Sequence, residues 1–343
     1  MQQKKIGVLL INLGTPAGPS IGEVRSYLRV FLDDPRVIDL PNIIRKILLY
    51  ALILPFRPKK SAHAYQQIWD PDKGSPLLFN TQALAQGLQE LLPTEYEVVV
   101  GMRYGQPSLE SALEKLFDVK CEKIIVLPLF PQYSSAATGS AIEHLLSILH
   151  KRWNLPSMVI QNSFYGDPGY IQAQAALIAP YWEKRSQYAK LVLSYHSLPV
   201  RHIAKSGCSH LCADNINCPA ISEDNQYCYR AQCFETSRLL AEHLGVREGD
   251  YAVVFQSRLG RTPWVGPDIQ GSLSEWHKAG VKELIIACPS FVADCLETLE
   301  EIGMRLREEW RSMGGESFHL VPCLNNHPDW LNAVKKMCMA QVQ

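Results

Sequence analysis

Six short apolar runs constrain this chain more than any other feature: IGVLLINL (6–13), YEVVVGM (96–102), KIIVLPLF (123–130), AKLVLSYH (189–196), YAVVFQS (251–257) and ELIIACP (283–289). They are rich in aliphatic and β-branched residues and are bounded by Gly or Pro, so each reads as a parallel strand buried on both faces. Between them lie stretches with helical periodicity, such as SLESALEKLF (108–117) and ETSRLLAEHLG (235–245). Strand–helix alternation of this kind builds right-handed βαβ units, which makes the chain an α/β protein.

The two halves also repeat each other. INLGTP (11–16) parallels SYHSLP (194–199), VVVGMRYGQPS (98–108) parallels VVFQSRLGRTPW (253–264), and IIVLPLFPQYS (124–134) parallels LIIACPSFVAD (284–294). Three echoes in one order predict two similar doubly wound domains facing each other, over 1–160 and 161–325, with 326–343 as a C-terminal helix packing back on the body. The length of 343 residues is itself more than one small core accommodates. Open α/β sheets bind ligands beyond the carboxyl ends of their strands, so these strand-end loops are expected to line a cleft. No G-x-G-x-x-G or G-x-x-x-x-G-K-[ST] follows any strand, which argues against a dinucleotide or a nucleoside triphosphate.

Thirty-four basic and thirty-four acidic residues cancel, so no net field recruits nucleic acid. MQQKKIGVLLINLGTP starts like a signal peptide. Its apolar run ends in Asn12 and a Gly-Thr-Pro turn without a small-residue cleavage site, and it reads instead as the first buried strand of a cytoplasmic protein. The most apolar stretch, IIRKILLYALILPF (43–56), is interrupted by Arg45 and Lys46 and is too short to span a bilayer.

Chemistry concentrates in three places. SYHSLP sets His196 at the end of a strand. CPSFVADCLETLEEIG (288–303) sets Asp294, Glu297 and Glu301 at i, i+3 and i+7, one face of an α-helix, while Glu300 points elsewhere. A carboxylate stripe is ordinarily a solvated helix face, but this one starts directly after a strand. One imidazole and a ladder of carboxylates make a site that handles protons or cations. Third, five of the ten cysteines crowd into GCSHLCADNINCPAISEDNQYCYRAQC (207–233), as C-x3-C-x5-C-x9-C-x4-C at Cys208, Cys212, Cys218, Cys228 and Cys233. Clustered thiols in a reducing compartment point to a metal. Zinc and a [2Fe–2S] cluster both take four thiolates, and the spacing matches neither the zinc-ribbon pairs nor the plant-ferredoxin run.

Taken in order, LINLGTP, GSPLL (74–78), MRYGQPS, LPLFPQYSSAATGS (127–140), SYHSLP, FQSRLGRTPWVGPD (255–268) and ADCLETLEE (293–301) resemble the ferrochelatases over nearly the whole chain. The resemblance implies two Rossmann-like domains of the class II chelatase type, each a parallel sheet flanked by helices and free of nucleotide. It implies a lyase that inserts ferrous iron into protoporphyrin IX, the closing step of haem biosynthesis. Coproporphyrin III as substrate is the alternative, followed by a cobalt or nickel tetrapyrrole chelatase; a haem or metal carrier would be the non-catalytic reading. By the same resemblance His196 is the base or the iron ligand, Glu297 is the essential carboxylate opposite it, and Asp294 and Glu301 extend a path for protons or metal.

The motifs also carry over porphyrin-binding positions: Asn12, Thr15, Pro16, Arg103, Tyr104, Tyr133 and Trp264, with Arg103 suited to a propionate. Cys295 stands where many relatives have a second histidine. Residues 43–56 match an apolar lip, which implies peripheral membrane contact. For the insert, the resemblance favours an internal [2Fe–2S] cluster on Cys208, Cys212, Cys218 and Cys228, with Cys233 in reserve and zinc as the alternative. MCMAQVQ ends without a cysteine-rich tail, and Ser135 stands where tail-type members place a ligand. Oligomeric state stays open.

Overall fold

The computed structural model describes residues 4–212, 218–258, 260 and 262–342. Among these, eight strands form two four-stranded sheets in which every pairing is parallel. The first sheet contains β1 (Lys5–Gly14), β2 (Tyr96–Tyr104), β3 (Cys121–Pro128) and β4 (Ser157–Ile160) in the order β2-β1-β3-β4. The second contains β5 (Ala189–His196), β6 (Tyr251–Gln256), β7 (Glu283–Ala287) and β8 (Ser317–Leu320) in the order β6-β5-β7-β8. The two orders are the same order shifted by four strands, so the repeat in the sequence is a repeat in topology. Helices flank both sheets, and the fold is a pair of Rossmann-like halves.

The six apolar runs are the six longer strands. β4 and β8 were not expected, for a physical reason: SMVI and SFHL are four-residue strands at sheet edges, mostly part-exposed, and too short to show a period. The central strands carry the cores. Leu9 and Ile11 pack with Val126, Leu113 and Leu145 in the first half, and Val192 packs with Val254, Ile286, Leu273 and Trp310 in the second. Each such fully buried side chain contributes about 1.5–3 kcal/mol.

Strand ends are built alike in both halves. The turn after β2 returns a carbonyl so that Met102 N–H donates to Pro107 (2.7 Å), and after β6 Phe255 N–H donates to Pro267 (2.8 Å). The next helices, Leu109–Asp118 and Ile269–Lys278, are capped by Ser108 and Asp268 side chains. Gly14 closes β1 at φ +112°, where a Cβ would lie 1.6 Å from the Tyr104 carbonyl oxygen, so only glycine fits. The helical pattern seen at 235–245 belongs to a longer helix, Tyr229–His243, which starts directly after Cys228.

Contacts divide the chain into two compact units. One holds residues up to Phe130, Ser134–Ser163 and the segment from Leu331 onward; the other holds Pro131–Tyr133 and Phe164–Trp330. Most of the last helix, Pro328–Ala340, therefore belongs with the first unit. There Leu331 packs at Gly87, and Gln341 Nε2 donates to Gln161 Oε1 at 3.1 Å. Helix Pro168–Glu183, which follows β4, belongs with the second unit.

In the first unit, Asn42–Ile47, Leu48–Ile53 and Leu54–Ile68 run on as one helix whose middle segment is π-wound, with i→i+5 bonds. Pro55 and Pro58, which lack N–H donors, follow that segment directly. No helix among the described residues is long and apolar enough to cross a membrane.

Candidate active site

His196 closes β5. On one side, β7 stops at Ala287, opposite Leu193, so the last residues of β5 have no strand partner there. Side chains take over: His196 N–H donates to Ser290 Oγ (3.3 Å), and the Tyr229 hydroxyl donates to the His196 carbonyl (2.8 Å). On the other side Ser197 N–H donates to the Gln256 carbonyl (2.7 Å). The peptide between His196 and Ser197 is thus held from both edges. The imidazole Nδ1 lies 2.6 Å from the Ser197 carbonyl. A carbonyl can only accept, so Nδ1 carries a proton, and in the neutral ring Nε2 is the nitrogen with the lone pair.

The carboxylates differ from the expected α-helical face. After β7 the chain enters a π-helix, Glu297–Leu306, and Asp294 lies before it. Winding by i→i+5 puts more residues in each turn, so the i, i+3, i+7 stripe does not hold. Asp294 instead accepts from Asn325 Nδ2 (2.7 Å), Cys323 N–H (3.2 Å) and Thr298 Oγ1 (3.4 Å), while its own N–H donates to Asn325 Oδ1 (2.9 Å). It pins two loops and the helix start. Glu300 is buried and pairs with Arg305 at 2.7 Å.

Glu301 is hydrogen-bonded by Ser257 and lies 3.9 Å from Arg305 Nη2. Ser257 donates its N–H to Oε1 (2.9 Å) and its hydroxyl to Oε2 (2.6 Å), from a backbone at φ +67°, a region that costs a non-glycine residue energy. Burial raises the Glu301 pKa; the Ser257 hydrogen bond and the His196 charge pull it down, and Glu297 pushes it up again. Glu301 thus lies within electrostatic reach of His196, Glu297 and Arg305.

The helix start is fixed by Gln256, only 1% exposed. Its Nε2 donates to the Glu297 carbonyl (2.8 Å) and its Oε1 accepts from Ser194 Oγ (2.6 Å), which ties helix to strand. Sequence reasoning missed Gln256 and Ser257. The signal available was a polar pair, QS, ending an otherwise apolar strand. Cys295 is buried, and burial together with neighbouring Glu297 raises its thiol pKa well above the usual range, so it sits there as a neutral thiol.

Trp264 is part-buried on a segment laced to the His196 loop. Val200 N–H donates to Pro263 (3.0 Å), Val265 N–H to Leu198 (2.9 Å), and Ser197 Oγ to the Val265 carbonyl (2.8 Å). Tyr133 is part-buried, with its N–H donating to Gln232 Oε1 at 2.6 Å.

The first-unit positions have their polar atoms engaged internally. Asn12 Nδ2 donates to Thr81 Oγ1 (3.0 Å), Thr15 Oγ1 to Ser75 Oγ (2.8 Å), and Pro16 is buried. Asp34 Oδ2 accepts from Arg103 Nη2 (2.7 Å), Tyr104 OH (2.7 Å) and Ser140 Oγ (2.6 Å). The Arg103 guanidinium also lies over the Tyr104 ring, 4.4 Å from its centroid. Burial would raise the Asp34 pKa, but its hydrogen bonds from Ser140, Arg36 N–H and Tyr104 and the Arg103 charge hold it below the ordinary carboxylate range. Arg103, expected to meet a propionate, is bound to an internal partner here.

In the insert, 213–217 lie outside the described residues. Cys208, Cys218 and Cys228 are buried and Cys212 is exposed, all without disulfides. Burial and the adjacent thiols of Cys228 and Cys212 push Cys208 up to about 12; burial pushes Cys218 up to about 11, where Arg230 opposes it and Cys228 and Cys212 add to it. The four predicted thiols therefore feel one another. Cys233 lies beside Cys228 and Cys218 but also meets the Tyr229 hydroxyl. Among the described residues no three His, Cys, Asp or Glu side chains stand in a ready-made metal-holding geometry. By number and type alone, Cys208, Cys212, Cys218 and Cys228 supply the donors of a four-thiolate group.

The fold is that of the chelatases. SirB from Bacillus subtilis, solved with Fe3+, superposes with a TM-score of 0.55 at 13% identity, covering 97% of this chain and 93% of that one. The sirohydrochlorin chelatase SirB from Bacillus subtilis subspecies spizizenii, in complex with cobalt, gives 0.52, also at 13% identity, over 96% and 92%. At that identity the likeness is one of fold. The ferrochelatase family model matches residues 5–342. The ferrochelatase of Legionella pneumophila (strain Corby) is 52% identical over 98% of this chain and 99% of its own length, and that of Coxiella burnetii (strain CbuK_Q154) is 48% identical over 99% and 94%. This chain belongs to the ferrochelatase family, whose reaction is the insertion of a metal into a porphyrin.

Proposed function

We propose that this protein inserts ferrous iron into protoporphyrin IX, giving protohaem and two protons. The observation that carries the reading is His196 at the end of β5, its Nδ1 2.6 Å from the Ser197 carbonyl and its ring within electrostatic reach of Glu301. With Nδ1–H held by the Ser197 carbonyl, Nε2 offers a lone pair that can take a pyrrole proton or hold iron in transit. The balance is simple: two N–H bonds break, their electron pairs pass to iron, and a neutral metalloporphyrin forms. Two protons need two acceptors or one acceptor and a relay. Glu297 is assigned as the second acceptor, and Glu301, whose pKa burial raises, as the carboxyl that takes a proton onward. Asp294, fully engaged at the helix start, is assigned to positioning. Porphyrin contact is assigned to Tyr133 and Trp264, and to the Asn12, Thr15, Pro16, Arg103 and Tyr104 positions. Arg103 is already engaged by Asp34, which favours the substrate with fewer propionates over coproporphyrin III.

An anaerobic assay with ferrous iron, run with both porphyrins on wild type and Glu297→Ala, tests this. The expected result is faster turnover of protoporphyrin IX and a loss of roughly a hundredfold or more in the variant. Turnover unchanged in Glu297→Ala, or confined to coproporphyrin III or to cobalt, overturns the assignment.

For the insert, the proposed occupant is a [2Fe–2S] cluster on Cys208, Cys212, Cys218 and Cys228, with zinc as the competitor. The mutual closeness of these thiols supports a metal group. Cluster absorption in anaerobically purified protein is expected; colourless protein with stoichiometric zinc would refute it. A chain with ten disulfide-free cysteines suits a reducing compartment, and the cytoplasm is the proposed location. Peripheral membrane contact is assigned to the helix running from Asn42, where Ile43 (74% exposed), Ile44, Ile47, Leu52 and Phe56 (75% exposed) lie bare beside Lys46, Lys59 and Lys60.

A further inference from the structure

The insert and the reacting histidine meet at the start of helix Tyr229–His243. We propose that Tyr229 is a positioning residue for His196 and the link through which the thiol insert sets the reactivity of that imidazole. This rests on the assignment of His196 to the reaction.

Three observations converge. First, Tyr229 is the residue after Cys228 and is itself buried; its hydroxyl donates to the His196 carbonyl at 2.8 Å. Second, Ser290 lies beside that hydroxyl, and its Oγ accepts from His196 N–H at 3.3 Å. Ser290 and Tyr229 thereby hold both backbone polar groups of His196, on the edge of β5 that β7 leaves open. The carbonyl that holds Nδ1–H belongs to the next residue, Ser197, so tilting this backbone turns the imidazole with it. Third, the first turns of the helix are fastened to the insert. Cys228 N–H donates to Asn225 (2.8 Å), a buried residue whose side chain accepts from Ser222 N–H (2.7 Å) and donates to Ala220 (3.0 Å). Gln232 donates to the Gln226 carbonyl (2.6 Å) while accepting from Tyr133 N–H (2.6 Å). Cys233, one turn on, meets the Tyr229 hydroxyl from below. Any change in how the Cys228 thiol is held moves a peptide that Tyr229 shares.

Tyr229→Phe keeps the ring and removes only the hydroxyl. Losing one buried hydrogen bond of this kind lowers kcat by roughly three- to tenfold with KM for porphyrin unchanged, while the metal content of the insert stays at the wild-type level. A double-mutant cycle with Cys228→Ser then separates linkage from coincidence. Non-additive effects on kcat are expected, since the second change acts through a bond the first has removed; additive effects overturn the proposal, as does wild-type kcat in Tyr229→Phe. A readout without turnover isolates the link from the reaction. In 15N-labelled protein, Cys228→Ser is expected to move the His196 ring signals in an otherwise wild-type chain and to leave them still in Tyr229→Phe. The same movement in both backgrounds refutes the link. Failure of the wild type to metallate any porphyrin would refute the reaction instead, and the ring signals would still decide the link.

Discussion

Asp34 is a buried carboxylate and Glu301 a part-buried one, and their surroundings drive them in opposite directions. Asp34 is held below its ordinary range by donors and the Arg103 charge, whereas burial outweighs the Ser257 bond and raises Glu301. Their contributions to stability therefore carry opposite signs with pH. The stabilisation from Asp34 is present above the usual aspartate pKa and is lost as pH falls through the depressed folded value, so Asp34→Asn should lower the thermal midpoint at neutral pH and matter little in strong acid. Glu301 binds its proton more tightly folded than unfolded, so ionising it costs stability above its raised folded value. Glu301→Gln should raise the thermal midpoint at neutral pH, with the gain vanishing below the ordinary glutamate range, while metal insertion falls. A scanning-calorimetry series across pH checks both signs. That His196 ends one strand and that Glu297 and Glu301 follow another was legible in the sequence, because a strand end and a carboxylate run announce themselves. Gln256 and Ser257 were not, because their importance lies in what they touch: a carbonyl and a carboxylate on another element.

Two helices matter more for how they are wound than for where they lie. The π-helix Glu297–Leu306 starts at a carbonyl that Gln256 holds against β5. Gln256→Leu leaves the Ser194 hydroxyl and the Glu297 carbonyl buried without this partner, at about 1–3 kcal/mol for each group. The expected outcome is a lower thermal midpoint and a fall in kcat that exceeds any change in KM. Sequence spacing assumed α-geometry here, and a period of i, i+3, i+7 cannot reveal a local change of winding. Another π segment, Leu48–Ile53, sits in the helix whose apolar face is bare. The sequence marked this stretch by composition but could not tell a buried helix from an exposed one, since the run ILLYALILPF beyond Arg45 and Lys46 has no polar face to orient it. Ile47→Glu combined with Phe56→Glu should reduce binding to phosphatidylglycerol-containing vesicles by at least about a hundredfold in a flotation assay. Activity on detergent-solubilised porphyrin should be retained.

The whole molecule repeats one topology twice, and the six long strands make that repeat readable in the sequence. What the sequence did not disclose is how the ends are exchanged: the helix after β4 belongs with the second unit, and most of the helix after β8 belongs with the first. Hydrophobic periodicity shows that a helix has an apolar face but not which sheet will cover it. Val334, Met337 and Cys338 are buried in the first unit by this arrangement. Removing the residues from Leu331 onward should lower the thermal midpoint by several degrees. Amide exchange should accelerate in helix Pro76–Leu91, which packs Leu331 at Gly87, while the second sheet keeps its protection.

That exchange has a consequence for synthesis. A ribosome delivers the first sheet early, but the segment that completes its unit follows the whole of the second unit. At about 5–20 residues per second, the intervening stretch of chain takes roughly ten seconds or more to appear. For that time the nascent first half lacks the helix that carries the buried Val334, Met337 and Cys338. Its core is completed only when translation has passed helix Pro328–Ala340.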